Sequence, residues 1–397
     1  MPERLITPRF LIMFGFTFTV FTSVFQLLPT APYRILALGG SPAVAGLFHG
    51  LLTFSSAASG PLTGVISDRI GHRPVLIGAS LLLAAFSVSY ALLSNYQALL
   101  ALVVVHGVVW SGLLAASGAY MTATIPVSRR AEGLSYWGLA TVLAIGAAPA
   151  IGFWVYDLGW GVLCVELAAL NLLMAVIAWM LPDDRRLATH EIAAWPSSIG
   201  EFVRSHVEWR VFWFAIAMAL VAFGYGALTS FSALYADELG IAPRSLFLSA
   251  TAVTTIAARL VVGRMIDDLG PRRILLFCLA IPAIGIFMTA GATGEVTFVA
   301  AALVFGAGFG LLHPAFYSHV LGHVPPSRRG AAFGASLAAF DTGIGAGASF
   351  FGPMMHAFGF RAGFAVAGVL AGLSIPYFLF VERRIGLPDD SAREVVG

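Results

Sequence analysis

Long apolar runs broken by short polar knots pattern this chain from end to end. Uncharged stretches at Phe10 to Pro32, Leu76 to Pro126, Phe212 to Tyr235 and Ile274 to Gly294 each match or exceed the roughly 20 residues that a spanning helix needs. Cuts at charge clusters and at Pro/Gly punctuation predict twelve spanning helices. They start near Thr7, Ser41, Arg73, Tyr96, Arg130, Trp160, Trp209, Pro243, Arg272, Val296, Arg329 and Phe360. Only one connection is long, from about Pro182 to Glu208, and it gathers Asp183, Asp184, Arg185, Arg186, His190, Glu191, Glu201, Arg204 and His206. The expected architecture is therefore an all-α polytopic membrane protein. Residues 1–181 and 209–397 form two six-helix halves, joined by a cytoplasmic linker over 182–208.

Composition sharpens this picture. Of the 397 residues 59% are apolar and 11% charged, well below the roughly one quarter charged of soluble domains. Every basic residue is arginine, so the lysine that a GxxxxGK[ST] loop places on nucleotide phosphates is missing and transport driven by the chain's own P-loop is excluded. No basic stretch is interleaved with aromatics, which argues against nucleic acid as a partner. GxSxG, HExxH and CxxC do not occur, so neither an enzyme nor a cofactor or metal site is expected. Cys164 and Cys278 lie far apart inside apolar runs and read as packing residues. The opening MPERLITPRF leads into an apolar run too long for a signal segment, so it is expected to be retained as the first span.

The arginines orient the spans. Counted on alternating sides, eighteen fall on one side, and only Arg34, Arg244 and Arg361 on the other; Arg259 lies within the eighth span. By the positive-inside rule the arginine-rich side, with both termini, is expected to face the cytoplasm, in the cell's inner (plasma) membrane. The halves also repeat. Gly64, Asp68, Gly71 and Arg73 of GVISDRIGHR match Gly263, Asp267, Gly270 and Arg272 of GRMIDDLGPR at an offset of 199, and Arg129-Arg130 match Arg328-Arg329 at the same offset.

With these motifs the chain resembles the major facilitator superfamily over nearly its whole length. That family's stretch between spans two and three runs Gly-x-x-x-Asp-Arg-x-Gly-Arg-Arg/Lys. Gly64, Asp68, Arg69, Gly71 and Arg73 match it, and His72 stands where arginine is usual; the second copy departs at Asp268. The resemblance implies two halves rocking about a midplane site. It also implies a cytoplasmic gate latch built from these residues: glycine permits the tight turn, Asp68 favours a helix N-terminus, and Arg69 and Arg73 reach acids or helix C-termini. In the fifth span, Gly138, Gly146, Pro149 and Gly152 approximate the pattern of similar drug:proton antiporters, with Ala148-Pro149 where Gly-Pro is usual. Small residues there suit close helix approach. Pro325 to Gly347 also looks like the arabinose-efflux type of this superfamily.

Ionisable groups inside spans are costly and face a cavity or a partner. Asp341 lies about 18 Å along the eleventh span from Arg329, near the middle of a core about 30 Å thick. It is the first proton-coupling candidate, with Glu166 and His106 as others; its alternative is a structural pair with Arg259. Arg259 itself reads as a counter-ion, an anion-binding group or a snorkelling side chain, and Glu166 as a structural hydrogen-bonding group. His49, His106 and His313 fall within spans two, four and ten, where packing and substrate contact both remain open. Phe14, Phe18, Phe21 and Phe25 share one face of the first span with Gln26 nearby, a greasy wall suited to amphipathic or aromatic solutes, unless that face meets lipid or another helix. The expected function is proton-coupled export of small amphipathic solutes by a monomer, with the solute, protons and membrane lipid as partners. The rivals are uptake by proton symport and a non-transporting sensor or scaffold.

Overall fold

The computed structural model describes residues 5–126, 129–182, 209–262, 270–320, 324 and 329–385, and those residues form helices joined by short turns. α1 (Pro8–Ala37) opens on a proline in its first turn, where the missing N–H is not needed, and Thr7 accepts from the Phe10 N–H at 3.2 Å. α2 (Pro42–Ile70) runs into α3 (His72–Leu92) through Gly71, whose φ of 100° glycine tolerates at no steric cost. Asn95 caps α4 (Tyr96–Thr124) by accepting from the Ala98 N–H at 2.7 Å. α5 (Arg130–Asp157) and α6 (Trp160–Met180) follow, then α7 (Trp209–Glu238), α8 (Leu246–Val262), α9 (Pro271–Ala290) and α10 (Glu295–Val320). The α9 start repeats the α2–α3 device, with Gly270 at φ 81°.

α11 (Arg329–Gly372) is broken at Gly359, φ 81°, so its two arms are the expected eleventh span and the start of the twelfth; α12 (Ser374–Ile385) completes the latter. The eighth helix begins at Leu246 rather than near Pro243, because Pro243 to Ser245 form the turn leading into it. Among the described residues nine helical stretches are long and apolar enough to cross a membrane, Ala335–Ile385 holding two expected spans. α2 is not one of them. Its Ser55, Ser56, Ser59, Gly60 and Thr63 dilute the apolar run, and Ser55 and Ser59 satisfy themselves by donating to Leu51 and Ser55 carbonyls at 2.7 Å.

The described residues divide into two compact units. One takes the described part of 1–194 with Thr229–Glu238 and Ala242–Ala252; the other takes the described parts of 195–228 and 253–397 with Leu239–Ile241. In the first, α1 buries Met13, Phe16, Val20, Val24 and Leu27 among Leu83, Tyr90, Val103, Leu113, Leu163 and Met174. Glycine sets how closely α5 approaches α1: a Cβ at Gly152 would stand 2.9 Å from the Gln26 Cα. A Cβ at Gly146 would meet the Ala252 Cβ at 3.2 Å, whereas nothing lies within 4 Å of one at Gly138. Pro149 sits inside the same helix. In the second unit α7 and α11 meet the same way, with Gly226 against the Ile344 carbonyl and Gly347 against that of Phe223. Cys164 and Cys278 are buried and free.

Candidate functional site

Both units carry polar groups inside their apolar helices. In the first unit, α1 turns Phe14, Phe21 and Phe25 half-buried and Phe18 36% exposed along one face, while Met13, Phe16 and Val20 are buried behind. Phe21 stacks on Phe25 at 6.1 Å and meets Trp110 edge-on at 5.8 Å. Next to this face the buried Gln26 donates its Nε2 to Glu166 Oε1 at 3.0 Å, so Glu166 is engaged by α1. His106 is also tied down: its Nδ1 lies 3.1 Å from the Tyr90 hydroxyl and its ring is flanked by Tyr90 and Phe86. The cavity beside it, lined by Ser87, Trp110 and Asn171, has about 10 Å³, room for about one water and not for a solute. His49, on α2, is buried with its Nδ1 3.3 Å from the hydroxyls of both Thr229 and Ser230.

The second unit brings together residues from four helices. Arg259, on α8, donates its Nε to the Gly310 carbonyl of α10 at 2.9 Å, and four residues earlier Thr255 donates to the Gly306 carbonyl. His313, one turn beyond Gly310, is close enough to Arg259 for the two to interact electrostatically, and its ring meets Phe340 at 4.3 Å. Phe309 packs on Tyr225 at 4.3 Å and on Phe340 at 6.0 Å. Tyr317, one turn further along α10, hydrogen-bonds Ser336 and feels the charge of Asp341. Asp341 is half-buried on α11. Among the described residues no ion pair joins it to Arg259. The aromatic surround of Tyr225, Phe309 and Phe340 was not singled out in the sequence; the i, i+4 spacing of Phe309 and His313 is the signal that finds it.

The repeated loop motifs anchor within their own units. Arg73 donates to the Trp179 carbonyl at the end of α6 at 2.6 Å; its counterpart Arg272 grips Glu382 of α12 with two bonds of 2.7 Å. His319 adds a contact to the same carboxylate at 3.4 Å. Asp68 meets His72 at 3.3 Å, one turn on. A Cβ at Gly64 would meet nothing within 4 Å. Arg69 is held in its own interactions. Gly263 and Asp267 lie outside the described residues, as do residues 183–208 of the expected linker.

Of the three arginines on the expected arginine-poor side, Arg34 donates to the Leu93 carbonyl at 3.1 Å and Arg361 to the Ala292 carbonyl at 3.4 Å, while Arg244 meets acids that were not flagged in the sequence. Arg244 reaches Asp237 at 3.2 Å and Asp157 at 3.5 Å, and lies over the Tyr33 ring. The Tyr33 hydroxyl donates to Asp237 at 2.7 Å. The signal was present: two aspartates at helix ends on a side with three arginines.

Apolar helices long enough to cross a membrane, together with loop motifs that recur in the sequence at an offset of 199, define the class as a polytopic helical membrane protein. Residues 10–254 and 238–395 match the Major Facilitator Superfamily model, and the chain belongs to that family. An uncharacterized MFS-type transporter of Burkholderia mallei is 29% identical over 386 residues, 93% of this chain and 91% of the relative. One of Pseudomonas aeruginosa is 33% identical over 199 residues, 48% of this chain; the chain spans 50% of that relative's length. A structure of the nucleoside transporter NupG superposes with a TM-score of 0.73 at 15% identity, covering 96% of this chain and 100% of that one. The human organic anion transporter MFSD10 gives 0.67 at 17%, covering 94% and 100%. At these identities the two structures share the fold.

Proposed function

We propose that the protein is a proton-coupled secondary transporter that exports small amphipathic solutes by alternating access. The halves 1–181 and 209–397 move about a central site, and the chain acts as a monomer in the inner membrane with both termini cytoplasmic. The observation that carries the reading is Asp341: a half-buried carboxyl in mid-span, not paired with Arg259, beside Tyr317 and within the same unit as His313. Such a group exchanges a proton with each side in turn. What favours export is the resemblance of the α5 pattern, Gly138, Gly146, Pro149 and Gly152, to that of antiporters; within it Gly152 stands close to Gln26 and Gly146 to Ala252. The half-exposed Phe14, Phe18, Phe21 and Phe25 supply an apolar wall.

The test uses proteoliposomes holding a pH-sensitive dye, to which impermeant amphipathic solutes are added outside. Exchange predicts that solute entry drives protons out and the lumen turns alkaline. Acidification would mean symport, and no change with measured solute entry would remove proton coupling altogether.

A further inference from the structure

An arginine inside a spanning helix ordinarily meets an acid, a backbone carbonyl or water. Arg259 uses one donor, Nε, on the Gly310 carbonyl. That bond ties the side chain to α10 and away from the snorkelling path along its own helix. Its two terminal amino groups, the bidentate fork that fits carboxylate, sulfonate and phosphate oxygens, have no acid partner among the described residues. The side chain is half-buried.

The neighbours add a second, apolar half to this feature. Gly310 lacks the Cβ that would press on Thr255 at 3.0 Å, which lets α8 bring Arg259 against α10. On the same face of α10, Phe309 and His313 are half-buried and present their rings, backed by the buried Tyr225 and Phe340. A flat apolar body stacked on Phe309 with an anionic group directed to Arg259 satisfies both halves, and His313 offers a neutral or charged ring nitrogen beside the anion. A cationic solute would place like charge against the guanidinium, and a neutral one would leave the fork unmatched.

We propose that Arg259, with His313 and the Phe309 wall, is the anion-recognising subsite of this transporter and that its solutes are aromatic or similarly flat organic anions. The inference rests on the transport reading above. It is tested by equilibrium binding without a proton gradient, so loss of proton coupling and loss of this subsite give different results. The probes are three isosteres: naphthalene sulfonate, naphthalene sulfonamide and naphthylmethylammonium, titrated against the full chain in nanodiscs by calorimetry. The sulfonate is expected to bind at least about tenfold more tightly than the neutral and cationic probes, roughly the lower value of a single charge-assisted hydrogen bond. Arg259→Gln should abolish that preference and Arg259→Lys should restore part of it, each with a near-native melting curve. The wild-type comparison needs no variant to fold. Equal affinity for all three probes, no measurable binding of the sulfonate, or a sulfonate preference that survives Arg259→Gln would each overturn the proposal.

Discussion

Substituting alanine at Gly152 and at Gly138 separates helix propensity from helix packing within one helix. A Cβ at position 152 would stand 2.9 Å from both Cα and Cβ of Gln26 and 3.1 Å from its Cγ, while one at 138 would meet nothing within 4 Å. Carbon atoms rest at about 3.5–4.0 Å, so α1 must withdraw from α5 by roughly half an ångström. The main obstacle is backbone, which no rotamer change relieves. Replacing a mid-helix glycine gains about 0.5–1 kcal/mol from backbone entropy at either site, and this gain cancels in the comparison. What remains is the overpacking cost of about 1–3 kcal/mol. Gln26 is also the residue that holds Glu166 at 3.0 Å, so its displacement strains that bond. Equilibrium unfolding in mixed detergent micelles, followed by tryptophan fluorescence, should put Gly152→Ala below Gly138→Ala by that amount. Equal stabilities would refute the claim that glycine sets the α1–α5 distance.

Other outcomes follow from the loops and from the arginine count. Asp68→Asn removes the negative charge beside His72 while keeping an oxygen acceptor, and distances between spin labels at the expected cytoplasmic ends of α2 and α11 should shift toward the open form; unchanged distributions with lost transport would contradict a latch. Glu382→Gln weakens the two-bond grip on Arg272, a partly exposed pair, so the cost should be at most about 1 kcal/mol and should shrink in high salt. Single cysteines placed within 182–208, in a background lacking Cys164 and Cys278, should resist an impermeant thiol reagent in intact cells. Prompt labelling would invert the topology.

Apolar run length and punctuation were enough to read the helices. Tyr96, Arg130, Trp160 and Trp209 begin helices where charge or aromatic clusters interrupt apolar runs, and Gly359 divides the last long helix one residue before the expected Phe360. The site was legible as a set of depths, not as a set of neighbours. Helical rise put Arg259 and Asp341 inside spans, but periodicity assigns a face without saying which helix that face meets. Arg259 finds the Gly310 carbonyl 51 residues away, and Gln26 finds Glu166 at a separation of 140. Neither pairing has a local signal. His106 illustrates the converse: its position allowed substrate contact, while Tyr90, Phe86 and a water-sized cavity enclose it.

Asp341→Asn, measured as solute-driven proton movement in proteoliposomes beside a melting curve and a binding isotherm from the same preparation, tests the central claim most directly. The amide mimics a permanently protonated carboxyl of nearly unchanged shape. The proton-coupling account predicts that the variant folds, still binds naphthalene sulfonate and exchanges it without a gradient, and moves no protons when the solute enters. Normal proton movement by a well-folded Asp341→Asn protein would contradict that account.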